Sequence, residues 1–430
     1  MFGIPALWIC PPACPRPGRV GSASDRSPSL GAMTSPQPAV SPDTPPSAAP
    51  HSKDEGKSAH AGAEGKSAHA AAEGKSAHAG GEDLSHRVDL VMEGGGVKGI
   101  ALAGAIEVLE ERGYRVHRVA GSSAGAIAGA LAASGIDGST MVEILRATDY
   151  RRFEDGPWWT RTLPGKALSI LLHNGIHRGD FLQQWLEEQL AVHAPAGGTG
   201  TFGDLVIDDP EVDVSRDDPR RHRLVVTASD LSAGKLRLLP RDAAELGRDP
   251  ERLRIAEAVR VSSSIPLFFR PVRWKSPAGG SAILVDGGML SNFPVSVFDR
   301  PGGEMPRWPT FGIKLSAKPE ADFGQRNRIR GPLSFGKAVV DTVTGFYDRM
   351  HIDAQHAVER TIFIDTDSVR PTQFDLSDED RDLLYRKGRK AATEFLDGDE
   401  RGQEPWDFRR YVARHRSGGS QHGGRTGTPR

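Results

Sequence analysis

Hydrophobic positions are spread unevenly along the 430 residues: after Ile9 almost no aliphatic side chain that could build a core occurs until Val88. Residues 1–85 are instead rich in Pro, Ser, Ala, Gly and His, a composition that buries too little apolar surface to offset chain entropy, and they are expected to form a disordered leader. At Val88-Asp-Leu-Val-Met92 the pattern changes to a short apolar strand that runs into a glycine turn. From Val97 to Arg112, Leu102, Ile106 and Leu109 recur at helical spacing. A strand over Arg115 to Ala120 then enters a second glycine-framed turn, and Ala124 to Ala133, built almost wholly of Ala, Gly, Ile and Leu, predicts a helix able to lie close against a sheet. Further strands are predicted over 223–228, 282–285, 310–315 and 361–365, and helices near 180–190, 255–262 and 333–358. Strand, turn and helix repeating in this order imply parallel strands joined by right-handed crossovers. That is an α/β layered domain over residues 86–400 with its function at the carboxyl edge of the sheet. Residues 401–430, polar, glycine-rich and basic, are expected to be a disordered tail.

Composition narrows the classes. The formal net charge is −1, so no global field draws the chain to nucleic acid or to an anionic membrane, and membrane contact would have to be local. Cys10 and Cys14 are the only cysteines, which excludes a disulfide framework and a cysteine metal site and suits a reducing compartment. The first ten residues lack a basic n-region and carry an early proline, so no signal peptide is expected; no window offers the run of about 18 apolar residues a spanning helix needs. A cytoplasmic protein, peripheral at a membrane at most, is the expectation. Within the leader, Glu55-Gly-Lys-Ser-Ala-His-Ala-Gly-Ala63 recurs twice more, beginning at Glu64 and Glu73. Its phased His60, His69 and His78 would suit a weak metal tract, but slippage in a solvated linker explains the repeat more simply, and no function is assigned to it.

The candidate chemistry lies in three turns. Gly121-Ser122-Ser123-Ala124-Gly125 is a G-x-S-x-G sequence between a strand and a helix, which leaves the central serine at a strained, exposed apex. A serine hydroxyl needs a base in reach and donors for the oxyanion formed on attack. Gly94-Gly95-Gly96-Val97-Lys98-Gly99, one βα unit earlier, offers backbone amides at a helix start, suited to an oxyanion or to a phosphate. The same glycines fit a dinucleotide fingerprint, but that fingerprint wants an acid at the end of the next strand, and this strand ends in Ala120-Gly121-Ser122-Ser123. For the base, Asp286 follows the strand Ile283-Leu284-Val285 and precedes Gly287-Gly288, where a buried carboxylate would be costly without a partner. Six histidines lie beyond Ser123 and before the tail. A triad through His351 or His356 is therefore conceivable, but both fall in a predicted helix where a solvated or satisfied histidine is the simpler reading.

These three ordered motifs, with Arg260-Val-Ser-Ser-Ser-Ile-Pro266-Leu-Phe-Phe269 and Asn292-Phe-Pro294 as further matches, resemble the patatin-like phospholipases over residues 88–300, more loosely to about 395. The resemblance implies a three-layer α/β/α sandwich with a mainly parallel central sheet. It also implies a lipid acyl hydrolase with a Ser-Asp dyad and no catalytic histidine: Ser123 the nucleophile, Asp286 the proton acceptor, and the Gly94, Gly95 and Gly96 amides the oxyanion hole. Gly99, Gly121, Gly125, Gly287 and Gly288 complete the motifs. Lys98 would meet a lipid phosphate or cap the surface, two readings of equal weight. No cofactor is implied, no calcium loop is present to invoke a metal, and the expected partner is a lipid or fatty acyl ester rather than nucleic acid. The alternatives are a catalytically silent or partner-activated membrane-binding regulator and, more remotely, a nucleotide-binding oxidoreductase. Pro157-Trp158-Trp159 and Ala167 to Leu172 read either as an apolar flap toward lipid or as core packing, and the second is preferred.

Overall fold

The computed structural model describes residues 86–194, 198–208, 218–277, 279–300, 304–317, 355–400 and 402–418. The chain divides into two units, Met1–Ser76 and Ala77–Arg430, and all of the first lies outside the described residues, as do the repeats of the leader and most of the helix expected over 333–358.

The second unit opens with β1 (Arg87–Met92), α1 (Gly99–Glu111), β2 (Arg115–Gly121), α2 (Ala124–Ala133) and α3 (Gly138–Ala147). It continues through α4 (Leu163–His173), β3 (Gly175–His177), α5 (Asp180–His193), β4 (Leu224–Asp230), β5 (Lys235–Leu239) and α6 (Ile255–Ser262). Strands β6 (Leu267–Phe269), β7 (Val272–Lys275), β8 (Ser281–Asp286) and β9 (Thr310–Lys314) follow, then α7 (Gln355–Glu359), β10 (Thr361–Phe363), α8 (Asp378–Asp397) and α9 (Phe408–Gly418). The expected α/β class is what the structure shows, with a mixed central sheet in the order β10-β9-β1-β2-β4-β8-β7 and β5 added to β4. The strands from β10 to β4 are parallel, as the crossover argument requires, whereas the pairings β4–β8, β8–β7 and β4–β5 are antiparallel. The sheet is therefore less uniformly parallel than the opening βαβα pattern suggests.

Alternation along the central strands sorts side chains to two cores. Leu90, Met92, Val119, Leu224 and Val226 join the large cluster formed with α1, α2, α3, α5 and α6, while Val91, Ala120 and Val225 face Phe293, Val295, Phe298 and Ala357. Among the described residues the second layer is thus the segment after β8 together with α7. One helix contact is unusually close. A Cβ on Gly388 of α8 would lie 2.0 Å from the Ala101 carbonyl oxygen of α1, and one on Gly104 would lie 2.8 Å from the Tyr385 carbonyl oxygen, so the two backbones touch where their glycines cross.

Described residues beyond 400 also pack on the large core. Trp406 stacks on Phe395 with ring centroids 5.4 Å apart and meets Phe311 edge-on at 5.1 Å, and Tyr411 of α9 is buried. Two aromatic anchors thus fix a segment whose remaining residues are polar enough to read as a tail. Among the described residues no helix is long and apolar enough to cross a membrane.

In an exposed helix Gly388→Ala would stabilise by about 1 kcal/mol through helix propensity. Here the Ala101 carbonyl occupies the space, and the substitution is expected to lower stability by roughly 1–3 kcal/mol, read as a lower urea midpoint at unchanged slope.

Candidate active site

The site begins at an edge of β4. Strand β5 pairs with Val226 to Asp230 of β4, β2 pairs with Leu224 to Val226, and β8 pairs with Ala228 to Asp230. A strand has two edges, and β5 overlaps both other partners, so β2 and β8 share the opposite edge and meet there end to end. The hydrogen bonds agree: the Val119 amide donates to the Arg223 carbonyl at 2.7 Å and the Leu231 amide to the Ile283 carbonyl at 2.9 Å, both at odd-numbered residues immediately flanking β4. Gly121 thereby sits opposite Val226 and Asp286 opposite Ala228, and the turn that leaves β2 rises beside the carboxylate that ends β8.

Ser123 occupies that turn with φ 50° and ψ −117°, a conformation that costs a non-glycine residue about 1–3 kcal/mol. Its surroundings hold it there. The Ser123 amide donates to Ser262 Oγ at 2.9 Å, and the Gly125 and Ala126 amides donate to the Ser122 carbonyl at 2.8 and 3.2 Å. A Cβ on Gly121 would fall 2.3 Å from the Gly125 carbonyl carbon, and one on Gly125 would fall 2.4 Å from the Met92 carbonyl oxygen, so the turn closes only with glycine at both places.

Asp286 is buried, and burial pushes its carboxyl up from 3.8 to about 6, opposed first by the Gly288 amide and then by the neighbouring Ser123 and Ser122 hydroxyls. The Gly288 amide donates to Asp286 Oδ1 at 2.8 Å, and the Asp286 amide donates to the Ser264 carbonyl at 3.0 Å. Gly287 lies against β4, where a Cβ would meet Thr227 Oγ1 at 2.1 Å.

The first glycine turn crosses directly over Ser123: a Cβ on Gly94 would lie 3.0 Å from Ser123 Cβ and 2.3 Å from Asn292 Oδ1. The three amides of this turn are not equivalent. Gly94 donates to the Asn292 carbonyl at 3.3 Å, and Asn292 Nδ2 returns a bond to the Gly94 carbonyl at 3.2 Å, so the expectation that all three amides stand ready to donate is corrected at Gly94. Among the described residues the Gly95 and Gly96 amides have no acceptor, and they lie where a short 3₁₀ turn, Gly96–Lys98, leads into α1. Gly96, at φ 59°, passes so near the Pro371 carbonyl that a Cβ would come within 1.9 Å of its oxygen.

Lys98 neither caps the surface nor faces an open pocket. It is buried, its Nζ donates to Thr366 Oγ1 at 3.0 Å, and burial lowers its pKa against the pull of Asp367, Glu93 and Asp365. Thr366 Oγ1 donates in turn to the Leu315 carbonyl at 2.5 Å, so Lys98 ties the glycine turn to the loop after β10. Glu93, the residue before the turn, is a second anchor: it pairs with Lys314 Nζ and accepts from the Leu315 amide at 2.6 Å.

An apolar pocket opens beside Ser123, lined by Ile127, Leu145, Phe153, Trp185 and Phe269 among others, with Gly96 and Ser263 at its polar end. Among the described residues no histidine lines it. His356 belongs to α7, packed on the opposite core, and His351 lies outside the described residues. The roles of Ser262, Ser264 and Asn292 were not apparent from the sequence, although all three belong to segments that carried the resemblance. The one available signal was Arg260, a charged residue in an otherwise apolar helix face: it is buried, donates to Ser264 Oγ at 2.5 Å and to the Arg178 and Arg270 carbonyls, and burial lowers its pKa to about 10.

A family model described as patatin-like phospholipase matches residues 90–299, which contain all three motifs. The uncharacterized protein YqhO of Bacillus subtilis is 36% identical over 312 residues, 72% of this chain and 98% of the relative. The uncharacterized NTE family protein Rv2565 of Mycobacterium tuberculosis is 29% identical over 208 residues, 48% of this chain but only 27% of that longer protein. Among solved structures, the heterodimeric ExoU-SpcU complex of Pseudomonas aeruginosa aligns at 18% identity and a TM-score of 0.41, covering 78% of this chain and 59% of that one. With all three motifs inside the matched region, and a relative matched over nearly its whole length, the chain belongs to the patatin-like phospholipase family.

Proposed function

We propose that the protein is a lipid acyl hydrolase that cleaves fatty acyl esters with Ser123 as nucleophile and Asp286 as proton acceptor. The observation that carries this reading is the meeting of β2 and β8 on one edge of β4, which sets a serine in a strained turn beside a buried carboxylate raised to about 6. Burial makes that carboxylate a far better base than a solvated aspartate while leaving it ionised at neutral pH. Ser123 Oγ attacks the ester carbonyl carbon as its proton passes to Asp286. The Gly95 and Gly96 amides stabilise the oxyanion, and Gly94, committed to Asn292, contributes the close approach that only glycine permits. Collapse of the tetrahedral intermediate breaks the ester bond, and the leaving alkoxide takes the proton. Water, deprotonated by Asp286, then attacks the acyl-enzyme and releases a fatty acid.

The apolar pocket supports an acyl substrate. It is lined almost wholly by apolar side chains and reaches Ser123. An oxidoreductase reading is disfavoured because β2, the strand after the glycine turn, runs into Ser122-Ser123 rather than into an acid that could hold a ribose.

Ser123→Ala is expected to lower ester turnover by roughly 10³-fold or more and to abolish labelling by a fluorophosphonate, with the wild-type adduct mapping to Ser123. His356→Ala should retain near-normal turnover, and a loss equal to that of Ser123→Ala would replace the dyad with a triad. Because the base must be ionised, kcat/KM should fall by about tenfold per pH unit below about 6. Asp286→Asn should abolish turnover and yet stabilise the fold at neutral pH. The folded-state pKa of about 6 lies above the unfolded value of 3.8, so ionisation above about pH 6 destabilises the native state, and that penalty vanishes below 3.8. Urea midpoints should therefore favour Asp286→Asn by roughly 1–3 kcal/mol at about pH 8 and converge near pH 4, whereas a variant less stable at pH 8 would contradict the assignment.

A further inference from the structure

Helix α4 is built inside out. Its buried positions are Gly165 and Ser169, while Leu163, Pro164, Ala167, Leu168, Leu171 and Leu172 point outward. Exposure reaches 82% at Leu163, 79% at Leu171 and 61% at Leu172, with Trp158 of the preceding 3₁₀ turn at 80%. The core packing preferred from the sequence is thus overturned. The helix is attached through its small residues: a Cβ on Gly165 would lie 1.9 Å from the Trp159 carbonyl oxygen, and Ser169 Oγ donates to the Gly175 carbonyl at 2.8 Å. A helix normally turns its leucines to the core and its small or polar side chains to water, and an exposed apolar face of this kind marks a contact surface.

Charge indicates what the surface meets. No acidic residue occurs between Asp155 and Asp180, a stretch that carries Arg161, Lys166 and Arg178, and the exposed Arg151 and Arg152 lie just before it. Among the described residues neither Arg161 nor Lys166 has an acidic partner. Cations bordering leucines and an outward tryptophan match an anionic headgroup layer over an acyl interior. In a chain of net charge −1 this is a local field of the opposite sign. The excursion also starts and ends at the pocket: Phe153 before it and Leu182 after it both line the space beside Ser123, and β3, which follows α4, pairs with β6, whose Phe269 lines it too.

We propose that the Trp158 to Leu172 face docks the protein on anionic phospholipid bilayers, with Trp158, Leu168, Leu171 and Leu172 in the interface and Arg161 and Lys166 on the headgroups. The proposal deepens the lipid-hydrolase reading and rests on it only for the purpose of docking. The face lies on the excursion whose two ends, Phe153 and Leu182, line the Ser123 pocket.

The test is co-sedimentation of the full chain carrying Ser123→Ala, which spares the lipid, with vesicles of phosphatidylcholine alone and of equal parts phosphatidylcholine and phosphatidylserine. Binding to the mixed vesicles is expected, with weaker binding to phosphatidylcholine alone. Leu171→Asp/Leu172→Asp should weaken binding by about tenfold or more, and Arg161→Glu/Lys166→Glu should remove the preference for phosphatidylserine. The same leucine pair, changed in the otherwise native chain, should leave turnover of a soluble ester unchanged, which shows the fold intact. Failure of the parent to bind either vesicle, or equal binding by the leucine variant, overturns the proposal. So does a parent dimer that the leucine variant converts to monomer without any vesicle binding, because a second copy then covers the face. Vesicle binding through this face without soluble-ester turnover would defeat the hydrolase reading and leave the docking face standing.

Discussion

The arrangement depends on how one edge of β4 is divided. A strand seven residues long, fully buried, gives the first part of that edge to a parallel neighbour and the last part to an antiparallel one. The two incoming strands point at each other, so neither can continue, and each must leave the sheet in a sharp turn at the same place. Glycines at 121, 125, 287 and 288 permit those turns, and the residues left where the strands end are Ser123, just past β2, and Asp286, the last of β8. Strand pairing therefore brings together two side chains separated by a long stretch of sequence. Moving either strand by one residue would turn its alternate face to the site and separate them.

The dyad is costly to the fold, and the surrounding structure offsets the cost. Ser123 holds a left-handed φ and Asp286 sits in a place that disfavours its charge, each a destabilisation of about 1–3 kcal/mol. The last turn of α6 and the residues just after it support both: Ser262 accepts the Ser123 amide, the Ser264 carbonyl accepts the Asp286 amide, and the buried Arg260 guanidinium fixes Ser264 Oγ and two carbonyls behind it. Glu93 and Lys314, with Lys98 and Thr366, hold the facing glycine turn. Charged groups in this protein are thus spent on positioning the backbone that frames the dyad.

What the sequence made legible follows from whether a feature is enforced locally. A strand ending in Gly-x-Ser-x-Gly or Asp-Gly-Gly announces itself because the chain must turn within a few residues, and helix α2 matches its expected bounds because its composition allows little else. Strands β5 and β7 were missed, since an antiparallel hairpin can be built from mixed residues such as Lys235-Leu-Arg-Leu-Leu239 once a neighbour supplies the pairing. Lys98 could not be placed because its partner Thr366 is distant in sequence, and the difference between the Gly94 amide and its neighbours depends on Asn292. The C-terminal helices escaped notice because α8 is largely polar and gains its contact through the absence of a side chain at Gly388.

Helix α4 shows the same limit in reverse. Its leucines read as core because most leucines are buried, yet the positions that identified the contact face were Gly165 and Ser169, spaced one turn apart and able to bring the backbone close. A sequence pattern shows that a helix has two unlike faces; which face the fold takes depends on what the fold can accommodate. Here the fold takes the small face, and the apolar face is left to something outside the chain's described part. The pocket at Ser123 is walled by the residues at either end of the same excursion. A surface that holds α4 therefore also bears on Phe153 and Leu182. Exposed leucines and the Ser123 pocket are parts of one arrangement: lipid contact shifts the pocket's walls only by as much as it binds one conformer of the excursion better than another.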